Sequence, residues 1–219
     1  MVPVCATHLN LSTAYTLSTI LSSSSGIFPR SRSVIHRGVV SLSSSRRLLL
    51  TTTDIRTPTA HQLHANPNSE AAFWFAEPKV QFRIVASTYL LPESSHPWHA
   101  AFPANELTET GNTQIDWDQE RLITFDSISG HLRATFARPV PGTPMTNYEE
   151  GKAWPTTVDT RGEEKDEQGK RVVDEALTNF ALVVLDPSEV ECLELDPIPN
   201  RRTKWTKKAD QWEAQVLVP

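Results

Sequence analysis

Apolar positions in the first ninety residues recur mainly at a spacing of two, which predicts short strands rather than helices. Tyr15-Thr16-Leu17-Ser18-Thr19-Ile20-Leu21 alternates in this way. Ser22-Ser23-Ser24-Ser25-Gly26 reads as the turn into a second strand, Arg32–Leu42. Ser43-Ser44-Ser45 then separates that strand from Arg47–Thr53, an apolar run ending in three hydroxyls. Thr57 is a good helix N-cap, Pro58 suits the first helical position and Asn66-Pro67 is a stop signal, so one short helix is expected between them. Residues 70–77 and 80–91 read as strands. In the second, Val80, Phe82, Ile84 and Ala86 share one face while Gln81, Arg83 and Val85 share the other.

The pattern beyond residue 91 is less regular. Residues 92–120, with Pro92, Pro97, Pro103 and Gly111, read as an irregular connection. Glu120 to Phe136 is expected to be helical in one or two pieces, with Leu122, Leu132 and Phe136 buried, and Arg138-Pro139-Val140-Pro141-Gly142 stops it. Residues 143–178 are expected as a polar loop, and a loop of that length is either disordered or functional. Residues 179–186 carry the strongest buried-strand signal, and Asp186-Pro187-Ser188 reads as a turn into Val190–Leu195. Arg201–Thr206 and Gln211–Leu217 form a terminal hairpin across Lys207–Asp210. Residues 1–219 are read as one domain without internal repeats.

Charge sharpens this picture. No Asp or Glu precedes Asp54, whereas Arg30, Arg32, Arg37, Arg46 and Arg47 do. Residues 143–178 hold nine acids and five bases, so that stretch carries four of the five net negative charges. A net charge of −5 argues against a general nucleic-acid binder. No apolar run has the length of a membrane span. Cys5 and Cys192 are too few for a disulfide framework or a zinc site, which points to a reducing compartment. A cytoplasmic protein is expected. The acid-poor, Ser-rich residues 1–26 also fit a mitochondrial presequence, and a first β-hairpin is the preferred reading.

The chemistry-bearing residues gather around the early strands. Strand, strand, helix, strand, strand, with cations and hydroxyls at the joints, suits a phosphorylated planar ligand. Arg32 and Arg37 offer forks of donors for phosphate. Five residues apart, they face opposite sides of a regular strand, so they serve one ligand only if the strand bulges or one acts at the ligand's other end. Thr52, Thr53 and Thr57 are further donors, Gln81 can both donate and accept, and the start of the short helix favours an anion. His36, His61 and His64 lack carboxylates or thiols at ligand spacing, and no metal is expected.

Arg32-x4-Arg37, Thr52-Thr53, Thr57-Pro58-Thr59-Ala60-His61-Gln62-Leu63, Asn66-Pro67 and Gln81 resemble the FMN-binding core of the pyridoxamine 5′-phosphate oxidase family. Arg202, ten residues before Trp212, and the Leu217-Val218-Pro219 finish add to it. Thr53-Asp54-Ile55-Arg56-Thr57-Pro58, Leu132-Arg133-Ala134-Thr135-Phe136 with Pro139, Pro141 and Gly142, and Val184-Leu185-Asp186-Pro187 are similar to a fungal and cyanobacterial branch of FMN-binding proteins rather than to true pyridoxamine phosphate oxidases.

The resemblance implies a mainly β (α+β) fold, a six-to-eight-stranded antiparallel split β-barrel with a few short helices. It implies a homodimer with FMN in a cleft at the subunit interface. The cofactor contacts it implies are Arg32, Arg37, Thr52, Thr53, Arg56, Thr57, Thr59, Gln81 and Arg202. Thr59 stands where the family has a helix-start lysine, and Arg56 is placed to supply the missing charge. Ile198 and Asn200 stand where true oxidases carry the Arg and His that grip substrate, which implies a different small substrate. The function implied is an FMN-dependent oxidoreductase, with a non-catalytic flavin-binding module or a cofactor-free barrel scaffold as alternatives.

Overall fold

A computed structural model describes residues 14–108, 115–209 and 211–219. Cys5 and the first half of the presequence reading lie outside them. The first hairpin forms as expected: β1 (Ala14–Ser23) pairs antiparallel with β2 (Gly26–Ile35) across the serine turn. Next come β3 (Gly38–Ser41), β4 (Arg47–Asp54), helix α1 (Pro58–Ala65), β5 (Asn68–Phe75) and β6 (Val80–Leu91). Helices α2 (Trp117–Ser127), α3 (Gly130–Phe136) and α4 (Glu167–Asn179) precede β7 (Phe180–Glu194), and the chain closes with β8 (Arg201–Lys208) and β9 (Gln211–Leu217).

The nine strands form one sheet in the order β2-β1-β5-β6-β7-β4-β3, with β8 and β9 added beside the far half of β7. This is mainly antiparallel β structure with short helices, as expected, but with nine strands rather than six to eight. The long second strand breaks at His36-Arg37, where Gly38 has φ +152°, a value that favours glycine, and its residues are shared between β2 and β3. The sheet is not closed by pairing between its end strands. Those strands, β2 and β3, are instead consecutive in the chain. At this seam the Thr51 hydroxyl donates to Ile35 O at 2.7 Å.

Three apolar clusters explain the strand sequences. Val80, Phe82, Ile84 and Ala86 of β6 all turn inward, with Leu49, Ala181, Val183 and Leu185 from β4 and β7. The alternate positions Leu48, Leu50, Leu182 and Val184 face outward but are covered by Phe102, Leu107 and Trp117 of the connection after β6. Both faces of β7 are therefore buried at this end, which is why its sequence reads as a continuous apolar run rather than an alternating one. The third cluster is helical, around Phe125, Phe136, Val173 and Phe180.

Two expectations are corrected. Asp186-Pro187-Ser188 is not a turn; β7 runs straight through it. Ala86 pairs with Pro187 and Val85 with Glu189, so Ser188 is the extra residue of a bulge, where a proline without an N–H is tolerated. Residues 143–178 are not simply a loop. They include a 3₁₀ turn, Tyr148–Ala153, and α4, whose N-cap Asp166 accepts from Gly169 N and whose Val173 and Ala176 are buried. No helix among the described residues is long and apolar enough to cross a membrane.

Candidate functional site

A cleft of about 300 Å³ opens beside the β2–β3 seam. Arg32, Arg37, Thr51, Thr52, Thr53 and Thr59 line it on the polar side, and Leu17, Leu63, Leu132, Phe136 and Val183 on the apolar side. Five of the nine residues named from the sequence, Arg32, Arg37, Thr52, Thr53 and Thr59, thus share one hollow. The break at His36-Arg37 resolves the spacing problem of the two arginines: each stands on its own side of an interrupted strand, and both reach the cleft.

The two guanidiniums differ. Arg32 donates from Nη1 to Thr19 Oγ1 (2.6 Å) and Leu17 O (3.2 Å), and from Nη2 to Gln62 Oε1 (2.8 Å). It is fixed by neutral oxygens from β1 and α1, and no carboxylate pairs with it among the described residues. Burial, and then the neighbouring Arg30 charge, press its pKa below the ordinary arginine value. Arg37 makes no side-chain hydrogen bond among the described residues, and its Nε is buried and unpaired. Burial also lowers its pKa. A half-buried cation with an unpaired Nε is costly, so this end of the cleft is electrostatically prepared for an anion.

The hydroxyls divide in the same way. Thr53 Oγ1 lies 3.2 Å from Thr57 Oγ1, and Thr57 both donates to Asp54 O (2.7 Å) and caps α1 by accepting from Ala60 N (3.3 Å). The Thr52 and Thr59 hydroxyls make no hydrogen bond among the described residues and remain available. The start of α1 offers fewer donors than expected, because Pro58 has no N–H and Ala60 N is already taken.

The other four residues lie off the cleft. Thr57 acts as the cap of α1. Arg56 grips Asp54 from Nε to Oδ1 (3.0 Å) and from Nη2 to Oδ2 (2.6 Å), and Nη2 also donates to Arg138 O (2.9 Å). Its charge is paired there with Asp54, and Arg56 itself lies outside the cleft lining. Gln81 and Arg202 sit on the far half of the sheet, each paired in register with Leu193 of β7. Arg202 is ion-paired at 3.0 Å with Glu191, which also takes Arg83.

The sequence reading did not name Leu132, Thr135 and Phe136 as cleft residues; its signals for them were the helical spacing that marked Leu132 and Phe136 as buried and the resemblance of Leu132–Phe136 to FMN-binding proteins. Among the described residues no group of His, Cys, Asp and Glu is arranged to hold a metal. Cys192 is buried, and burial, with the nearby Glu194 charge, pushes its thiol up to about 11, so it is unreactive at neutral pH.

Residues 4–91 match the family model for the pyridoxamine 5′-phosphate oxidase FMN-binding domain. A search of curated sequences finds no match. Among solved structures, a pyridoxamine 5′-phosphate oxidase-related, FMN-binding protein from Nostoc punctiforme aligns over 98% of this chain and 94% of its own, with 22% identity and a TM-score of 0.70. PhzG from Burkholderia lata, solved with tetrahydrophenazine-1-carboxylic acid, aligns over 98% and 88%, with 14% identity and a TM-score of 0.61. The chain is thus similar to the pyridoxamine 5′-phosphate oxidase FMN-binding domain over residues 4–91 and shares its fold with these two proteins over nearly its whole length.

Proposed function

We propose that the chain binds FMN in the cleft beside the β2–β3 seam and serves as an FMN-dependent oxidoreductase for a small molecule. The observation that carries this reading is the set of unused donors: the Arg37 guanidinium and the Thr52 and Thr59 hydroxyls, grouped around a hollow with an apolar wall. Donors of this kind fit an anionic tail, and the wall of Leu17, Leu63, Leu132, Phe136 and Val183 fits a flat ring. Arg32, fixed by Thr19 and Gln62, lends a second positive charge without moving. Bound FMN would supply the electron and hydride chemistry, and the protein's task is to hold and orient it.

A homodimer belongs to the same proposal. Ligand pockets commonly span about 300–1,000 Å³, so this cleft is at the small end for a whole flavin nucleotide. Gln81 and Arg202, absent from its lining, are the residues a second copy would bring. Ile198 is fully exposed and the Asn200 amide donates to Leu195 O, which supports a substrate other than a vitamin B6 phosphate.

The test is direct. Purified protein should show flavin absorbance or take up added FMN, and a hydride donor should bleach it if the flavin turns over. Arg37→Gln should weaken FMN by about tenfold or more, the usual scale for a charge-assisted contact, while riboflavin, lacking phosphate, is little affected. Protein that stays colourless and takes up no FMN overturns the reading in favour of a cofactor-free scaffold. FMN uptake without donor-dependent bleaching leaves a flavin-binding module. The neutral Thr59 and the sequestered Arg56 both favour modest affinity.

A further inference from the structure

The cleft has one wall that the family-matched residues do not supply. Leu132, Thr135 and Phe136 come from α3, a helix of seven residues. A helix so short is not stable alone and must be held by its surroundings. The buried Arg133 guanidinium secures its N-terminal half, donating to Val158 O (3.1 Å), Asp126 O (3.0 Å) and Ile128 O (2.5 Å). Gly130 allows the following segment to cross closely: Val158 N donates to Gly130 O at 3.0 Å, and a Cβ on Gly130 would lie 2.5 Å from Thr157 Oγ1.

The other end is held by residues just beyond β4 and at the end of α4. Phe136 O accepts from Asn179 Nδ2 (2.8 Å) and Arg56 Nη2 (3.3 Å), and Arg138 O accepts from the same Nη2. Arg56 in turn is clamped on Asp54, the last residue of the strand that carries Thr51, Thr52 and Thr53. The hydroxyl side of the cleft and its apolar wall are therefore tied to each other through the Arg56 guanidinium, with Asn179 as a second link, its main-chain O accepting from Ile55 N at 2.8 Å.

We propose that α3 is the selectivity wall of the cleft, with Leu132 setting the width offered to a planar ring, and that Arg56 is a positioning residue that fixes that width without touching the ligand. This rests on the flavin reading for the ligand's class, but the tie itself can be tested without one. Amide hydrogen exchange on the free full chain should be faster at residues 130–137 in Arg56→Gln than in the unsubstituted protein, with β5 and β6 unchanged and Arg56→Lys intermediate. Titrated with FMN and with riboflavin, Arg56→Gln should weaken both by the same factor, about tenfold. Leu132→Ala, a half-buried position that leaves the fold intact, should weaken both about tenfold and shrink the preference for riboflavin over a bulkier ring-alkylated flavin.

Unchanged exchange at 130–137 overturns the tie. A loss confined to FMN overturns the positioning role, since it would make Arg56 a phosphate contact. An unchanged preference in Leu132→Ala overturns the wall. If the unsubstituted protein binds neither flavin, the flavin reading fails and the selectivity claim fails with it, while the exchange result still decides the tie. Should Arg56→Gln not fold, Arg56→Lys and Leu132→Ala give the same two readouts.

Discussion

Asp54→Asn tests the Asp54–Arg56 clamp through stability alone. The Asp54 side chain is 6% exposed and that of Arg56 22%. Asp54 Oδ1 accepts from Arg56 N (2.9 Å) and Nε (3.0 Å), and Oδ2 from Nη2 (2.6 Å). The substitution removes the charge and one of the two oxygens, leaving a mostly buried guanidinium whose remaining acceptors, the amide oxygen and backbone carbonyls, are all neutral. Breaking one side of a fully buried pair costs about 3–5 kcal/mol. The partial exposure of Arg56 admits water and screening, which lowers the expectation to about 2–4 kcal/mol. At roughly 2–4 °C per kcal/mol for a chain of this size, the thermal midpoint should fall by about 4–16 °C. Far-UV circular dichroism during heating measures it directly. Asp54→Asn/Arg56→Met should recover part of the loss, because removing both partners leaves no bare charge. A fall of less than 2 °C, or a double variant less stable than the single one, would refute the reasoning.

Two further outcomes are expected. His36 is half-buried at the seam with its Nδ1 buried and unpaired, and this burial lowers its pKa below 6.5. In the window between that folded value and 6.5 the unfolded chain binds more protons, so the stability contributed by neutral His36 is full above pH 6.5 and is lost as pH falls below it. Urea midpoints at pH 7.5 and 5.5 should therefore differ less for His36→Leu than for the unsubstituted protein, and equal differences would exclude the effect. His96, whose pKa burial and His64 also lower, adds to the same acid sensitivity and should be substituted in parallel. Thr59→Lys places a cation on the cleft lining and should tighten FMN about tenfold while leaving riboflavin unchanged. Fluorescence titration reads both, and an equal effect on the two flavins would show that the side chain does not meet the phosphate.

The parts of this fold that were legible in the sequence are those written locally. The serine turns, the Thr57-Pro58 start and Asn66-Pro67 stop of α1, and the inward set Val80, Phe82, Ile84 and Ala86 all depend on neighbours within a few residues. Helix α4 was obscured because its mean polarity is high, although Val173, Ala176 and Leu177 recur at helical spacing. The bulge at Ser188 was hidden because Pro187 signals a turn unless β6 is known to lie alongside. In the site, the sequence pattern reaches Arg32 and Arg37, which share the cleft, but not the partners of Arg56, since Asp54 and the carbonyls of residues 136 and 138 meet it by tertiary approach. The same holds for Arg121 and Arg133: nothing in their local sequence marks them as buried donors to main-chain carbonyls.

Strand β7 shares long ladders with β4, β6 and β8. Up to Leu91, two separate patches of sheet exist, β2-β1-β5-β6 and β3-β4, linked covalently at His36-Arg37 and bridged by the Thr51 hydroxyl and Arg37 N–H. The stretch that matches the family model therefore lacks the strand that joins its two patches into one sheet. That strand is β7, Phe180–Glu194, so the continuous sheet is complete only when most of the polypeptide is present.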